Sequence, residues 1–110
     1  MIYQPDSWVV LKIKPGKGEF PIYKVLAGWS GGYLDGDSWR INSGITEVKQ
    51  DGDYYEFYGY SGSCYRCYKR YYRLTMASSG VYNSIKEQEE FDGQITLMPE
   101  DTNWMEIKYE

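Results

Sequence analysis

Apolar and polar residues alternate in short runs along this chain, and glycine, proline, serine or aspartate interrupts them at intervals too short for long helices. Trp8 to Lys14 is predicted as a first strand, with Trp8, Val10 and Lys12 on one face and the more apolar Val9, Leu11 and Ile13 on the other. Pro15-Gly16-Lys17-Gly18 ends it, and Phe20 to Ala27 returns as a second strand in which Pro21 marks an edge or a start. Gly28 to Ser38 holds several glycines beside Trp29 and Tyr33 and reads as a glycine-rich loop that must bury or present those rings. Ser38 to Asn42 is a short strand turned by Ser43-Gly44.

Ile45 to Gln50 and Asp53 to Tyr60 flank Asp51-Gly52, a pair suited to the positive φ angles of a tight hairpin. Ser61-Gly62 turns the chain again into Ser63 to Leu74, so residues 45 to 74 read as a three-stranded meander with aromatic rings at both parities. Ser78 or Ser79 caps one short helix running to about Glu90, with Val81, Ile85 and Tyr82 facing inward. Asp92-Gly93 ends it, and Gln94 to Met98 and Trp104 to Tyr109, joined by Pro99-Glu100-Asp101, form a closing hairpin. The pattern predicts one domain over residues 1–110, mainly β within the α+β class: a small antiparallel β-barrel or a curved sheet with one short helix.

Charge divides this outline into two unequal parts. Phe57 to Lys86 contains no Asp or Glu but carries Arg66, Lys69, Arg70, Arg73 and Lys86; with the chain at a formal -4, everything outside this +5 window sums to -9. Tyr54, Tyr55, Tyr58, Tyr60, Tyr65, Tyr68, Tyr71 and Tyr72, from a total of 13 tyrosines, crowd the same region. Cations among aromatic faces suit an anionic, partly planar ligand or an acidic protein surface. The acidic balance opposes general binding to duplex DNA. There is no apolar run of membrane-spanning length and no signal-peptide pattern at Met1 to Asp6, so the expected location is cytoplasmic, with no membrane partner.

The chain has no histidine, which closes His-based triads, imidazole acid–base catalysis and most catalytic zinc sites. Catalytic residues, metal ligands and cofactors are accordingly expected to be none. Cys64-Tyr65-Arg66-Cys67 has the C-x-x-C spacing but sits in a strand, where the two thiols fall on opposite faces instead of at a helix start. Gly59-Tyr60-Ser61-Gly62-Ser63 lacks the last glycine of a nucleophile elbow and reads as a hairpin turn, and Gly16-Lys17-Gly18 lacks the phosphate-loop spacing. Asp35 with Asp37, and Asp51 with Asp53, are turn formers that miss the calcium-loop pattern. The ligand-binding constellation this leaves is Arg40, Asn42, Ser43, Ser61, Ser63, Arg66 and Arg70, with Trp29 and Tyr33 from the glycine loop. Guanidinium groups would hold phosphate oxygens, hydroxyls and loop amides would complete the cradle, and rings would stack. Alternate spacing predicts Arg66 and Arg70 on one strand face and Lys69 and Arg73 on the other. The competing structural reading is a solvated edge strand whose charges prevent aggregation.

Ser38-Trp39-Arg40-Ile41-Asn42-Ser43-Gly44-Ile45 and Gly59-Tyr60-Ser61-Gly62-Ser63-Cys64-Tyr65-Arg66-Cys67 resemble small accessory proteins encoded by tailed phages and prophages. That resemblance implies action in a bacterial host cytoplasm during infection, by binding and neutralising a host protein or a nucleotide signal; it carries no site residues with it. The function expected first is a non-enzymatic binding protein that sequesters a small anionic, nucleotide-like ligand through the Arg/Tyr strand and the glycine loop, as a homo-oligomer. The alternative is an inhibitor or adaptor that contacts a host protein through the tyrosine surface or through the acidic stretch 87–110. Single-stranded nucleic acid ranks third, and a carboxylate-based enzyme last.

Overall fold

A computed structural model describes residues 1–14, 20–32, 36–87 and 95–109. Among them the chain forms β1 (Ile2–Tyr3), β2 (Ser7–Ile13), β3 (Ile22–Gly32), β4 (Gly36–Ile41), β5 (Ile45–Asp51), β6 (Tyr54–Gly59), β7 (Cys64–Tyr68), α1 (Met76–Lys86) and β8 (Ile95–Leu97). The strands assemble into two four-stranded sheets, sheet A in the order β1-β7-β6-β5 and sheet B in the order β4-β3-β2-β8. All pairings are antiparallel except that of β1 with β7. The fold is mainly β with one short helix, as the pattern predicts; of the two architectures expected, open sheets replace the closed barrel.

β2 explains the layering. Trp8 and Val10 join Tyr23, Val25 and Ala27 of β3 in a core shared with Ile45, Val48, Phe57, Tyr65 and Cys67 of sheet A. Val9, Leu11 and Ile13, on the opposite face, pack with Leu26, Ile95 and the α1 residues Val81, Tyr82 and Ile85. Sheet B therefore lies between sheet A and the helix, which is why an alternating strand is buried on both faces. Trp8 anchors the inner core against Phe57 at 5.3 Å, Tyr72 at 4.7 Å and Trp104 at 5.9 Å between ring centroids, and its indole N–H donates to the Tyr68 carbonyl at 2.7 Å.

Four expectations need correction. The stretch expected as a loop from Gly28 to Ser38 is largely hairpin: β3 continues to Gly32, β4 begins at Gly36, and Gly28 pairs with Trp39 across a ladder interrupted by a bulge between Trp29 and Gly32. Gly28 needs to be glycine because a Cβ there would stand 2.8 Å from Thr75 Cγ2. The strand expected to run to Leu74 stops at Tyr68, where the Lys69 N–H bonds to the Asp53 carbonyl at 2.9 Å and the chain turns out of sheet A. It crosses to sheet B, where the Trp8 N–H donates to the Tyr71 carbonyl and the Trp8 carbonyl accepts from Arg73. The helix starts earlier than expected: Thr75 is its cap, its Oγ1 accepts from the Ser78 N–H, and the Ser78 hydroxyl answers the Thr75 N–H.

The closing hairpin is also replaced. β8 pairs with β2, Ile13 opposite Ile95, while residues 104–106 form turns and put Trp104 into the core. Tyr72 completes that edge of β2: its hydroxyl accepts the Val10 N–H at 3.1 Å and donates to the Met98 carbonyl. The Asp51-Gly52 hairpin forms with its centre one residue later, since Asp51 pairs with Tyr54 and Gly52 takes φ +57°. The helix also ends earlier than the expected Glu90, at Lys86 with Glu87 as its cap. The Pro15–Gly18 turn, Tyr33 with Leu34 and Asp35, residues 88–90, Asp92-Gly93 and Gln94 lie outside the described residues.

Candidate functional site

Sheet A has a face turned away from sheet B. Period-2 alternation puts Tyr54, Glu56 and Tyr58 of β6 on it, and the ladder sets them opposite Tyr68, Arg66 and Cys64 of β7 and Asp51, Lys49 and Glu47 of β5. The Arg66 guanidinium donates to Asp51 at 2.9 Å and to Glu56 at 3.1 Å while lying 4.1 Å above the Tyr54 ring. Its hydrogen bond to Asp51, above all, raises its pKa further over the ordinary value. Arg66 is thus held by its own sheet.

From Arg66 the side chains continue as a stacked series around the end of the sheet. The Tyr54 ring meets Tyr68 at 5.3 Å, Tyr68 meets Tyr71 at 4.6 Å, and the Arg73 guanidinium lies 5.2 Å over Tyr71. Lys69 covers Tyr55 at 4.9 Å. Tyrosine rings under cations hold them by quadrupole attraction without neutralising them. Among the described residues, the ion pairs are both made by Arg66, so Lys69, Arg70 and Arg73 meet no carboxylate. Lys69, Arg70 and Arg73 and the exposed Tyr71 therefore all belong to the segment that follows β7.

The predicted constellation divides among three places. Asn42, Ser43, Ser61 and Ser63 do come together, but as a clasp between two turns. Asn42 is buried; its N–H donates to the Val25 carbonyl at 3.0 Å and its Oδ1 accepts from the Val25 N–H at 2.8 Å, continuing the β4 ladder by one rung. Ser43 Oγ accepts the Ser61 N–H at 3.0 Å, and the Ser63 carbonyl accepts from Gly59. Gly59 permits this approach: a Cβ on it would stand 2.9 Å from Ser43 Oγ and 3.2 Å from Asn42 Nδ2, a buried donor with no partner among the described residues.

This clasp sits at the Gly59 end of β6, whereas Arg70 follows the strand paired with its Tyr54 end. Arg66 and Arg70 therefore do not share a strand face, nor do Lys69 and Arg73, because β7 ends before Lys69. Arg40 and Trp29 form the third group: Arg40 lies 4.5 Å over the Tyr3 ring, and Trp29 meets Tyr3 edge-on at 6.4 Å and donates to the Gln4 carbonyl at 3.0 Å. Tyr33 lies outside the described residues.

The cysteines alternate as expected, Cys67 in the inter-sheet core and Cys64 on the other face, opposite Tyr58. Both thiols are free and buried, and burial pushes the pKa of each up, most strongly at Cys67. That environment opposes thiolate formation. No group of three or more Cys, Asp or Glu side chains converges as a metal cage among the described residues.

A cleft of about 460 Å³ lies elsewhere, between Thr46, Glu47 and Val48 of β5 and the C-terminal residues Trp104, Met105, Ile107, Lys108 and Tyr109. No local signal marks it, because Trp104 to Tyr109 alternates like a strand, which hides its course beside the β5 edge. Comparison with protein-family models, curated proteins and solved structures finds no match to this chain.

Proposed function

We propose that this chain is a non-enzymatic binding protein whose ligand is anionic and carries a planar ring, nucleotide-like in chemistry, taken at the corner formed by Lys69, Arg70, Tyr71 and Arg73. The observation that carries this reading is the set of three cations without carboxylate partners among the described residues, set against stacked tyrosines. Guanidinium groups offer paired donors to phosphate oxygens, and an exposed phenol ring offers a stacking surface to a base. Arg66 acts from behind, fixing the Tyr54 end of the series through Asp51 and Glu56. In a phage accessory protein, as the resemblance implies, such a corner would withdraw a nucleotide signal in the host cytoplasm without converting it.

Thermal shift against mono-, di- and cyclic nucleotides tests the reading: at least one should raise Tm. The double variant Arg70→Ala/Arg73→Ala should abolish the rise while the unliganded Tm stays within a few degrees of the parent. A flat response across the panel would remove the proposal.

The open face of sheet A favours a second reading, contact with a host protein. Tyr54, Tyr58 and Tyr68 with Arg66 are residue types that dominate protein interfaces, and all four are partly exposed on that face. Tyr58→Glu should then abolish capture of that protein and leave any nucleotide response intact.

A further inference from the structure

Among the described residues β5 is one of the two edge strands of sheet A, and its sequence is complementary to itself. Backbone direction alternates along the ladders. The Gly59 N–H turns towards β7 to reach Ser63, while the Tyr60 N–H turns towards the Gly44 carbonyl before β5. On β7, the Cys64 N–H turns outward to Met1. This phase aims Tyr54, Glu56 and Tyr58 at Asp51, Lys49 and Glu47, so the N–H groups of Val48 and Gln50 and the carbonyls of Thr46, Val48 and Gln50 face away from the sheet. Among the described residues no backbone hydrogen bond joins this edge to the C-terminal segment alongside, and the 460 Å³ cleft opens between them.

We infer that β5 pairs with β5 of a second copy across a two-fold axis at Val48, making one continuous sheet from two sheets A. In that register each Val48 exchanges both backbone bonds with the partner's Val48, and each Gln50 N–H reaches the partner's Thr46 carbonyl. Glu47 then stands opposite the partner's Lys49, and Lys49 opposite the partner's Glu47, in the closely spaced pairs that carry no backbone bonds. Glu47 and Lys49 are exposed and form no ion pair within the chain among the described residues. Moving the axis by one residue to Lys49 sets lysine against lysine and Glu47 against Asp51, so charge selects the register. Moving it to Gln50 calls on Asp51, already held by Arg66, and brings Val48 opposite the Gly52 turn. Charges at a sheet edge ordinarily deter pairing; here their order repels unrelated edges and admits a second copy. The exposed Met105 at the cleft rim supplies apolar surface for the entering strand.

Light scattering on the size-separated full chain at high micromolar concentration tests this. The parent should be a dimer. Glu47→Lys and Lys49→Glu should each weaken association by about tenfold or more, since symmetry doubles every mispairing. The combined variant E47K/K49E should restore the dimer, with circular dichroism and Tm unchanged throughout. Amide exchange at Val48 and Gln50 should slow as protein concentration rises. A parent that stays monomeric with freely exchanging Val48 and Gln50 amides would leave the edge to an unrelated extended peptide and overturn self-pairing. So would a dimer indifferent to the single reversals, or one that the double reversal fails to restore while the fold is intact.

Discussion

The two faces of sheet A are built from the same residue type and serve opposite ends. Tyr65 and Phe57, with half-buried Tyr3 and Tyr55, look inward onto Trp8 and Trp104 in a core closed to water. Tyr54, Tyr58 and Tyr68 look outward, where Lys49 covers Tyr58 at 5.3 Å and Arg66 covers Tyr54. A tyrosine in this chain is thus a core residue or a surface platform according to its parity and its opposite number, because adjacent strand residues point to opposite faces. The inner rings gain from removing apolar area from water, and the outer ones from holding cations in place.

Substitution should expose that contrast most strongly at Phe57, which is fully buried. Phe57→Ala should cost about 3–5 kcal/mol in urea unfolding, through lost transfer energy and an unfilled cavity. Tyr58→Ala, next to it on the outer face, should cost less than about 1 kcal/mol. Equal losses would mean that the outer face is also covered.

A smaller effect belongs to Tyr72, whose hydroxyl bridges Val10 and Met98. Tyr72→Phe should cost about 1–3 kcal/mol, since it leaves the Val10 N–H and the Met98 carbonyl without their hydroxyl partner. Burial pushes the Tyr72 pKa up to about 12 from an ordinary 10. The folded state then keeps a proton that the unfolded state releases, so this contribution is complete below pH 10 and is lost as pH rises towards 12. With partial solvent screening the loss should be roughly 1–2 kcal/mol by pH 12, read as a falling Tm alongside phenolate absorbance. Tyr72→Phe should flatten that slope without abolishing it, because burial raises the Tyr109 phenol as well.

The smallest effect is expected at Arg66. Its bonds to Asp51 and Glu56 are made at a partly exposed face, so Arg66→Ala should change stability by no more than about 1 kcal/mol, and less in high salt. Its clearer signature should be in tyrosine fluorescence or ring NMR shifts of Tyr54, which loses its cover. An unfolded Arg66→Ala would place the residue with the core instead of the platform.

Much of this division was legible in the sequence wherever the controlling information is local. The two faces of β2, the Asp51-Gly52 hairpin and the inward trio Val81, Tyr82 and Ile85 all follow from spacing over a few residues. The helix start escaped because Ser78 occupies the third position of the capping box, where Glu or Gln is the usual sign. The end of β7 escaped because Lys69 is turned by a bond to Asp53, across the hairpin from it. The candidate site was legible in composition but not in assembly: Arg66 and Arg70 look equivalent along the chain, yet one meets Asp51 and Glu56 while the other meets no carboxylate among the described residues. Asn42 and Ser43 read as a polar cradle and act as a clasp over Gly59.

Local order along the chain sets which side chains alternate, where the backbone can turn, that no side chain offers an imidazole, and that cations and tyrosines are concentrated in one stretch. Long-range packing fixes the rest: which tyrosine face joins the core, and which cations meet a carboxylate among the described residues. Dihedral preference and side-chain periodicity act within a few residues, whereas burial and charge pairing depend on segments brought together from afar, as Trp8 and Tyr68 are across 60 positions.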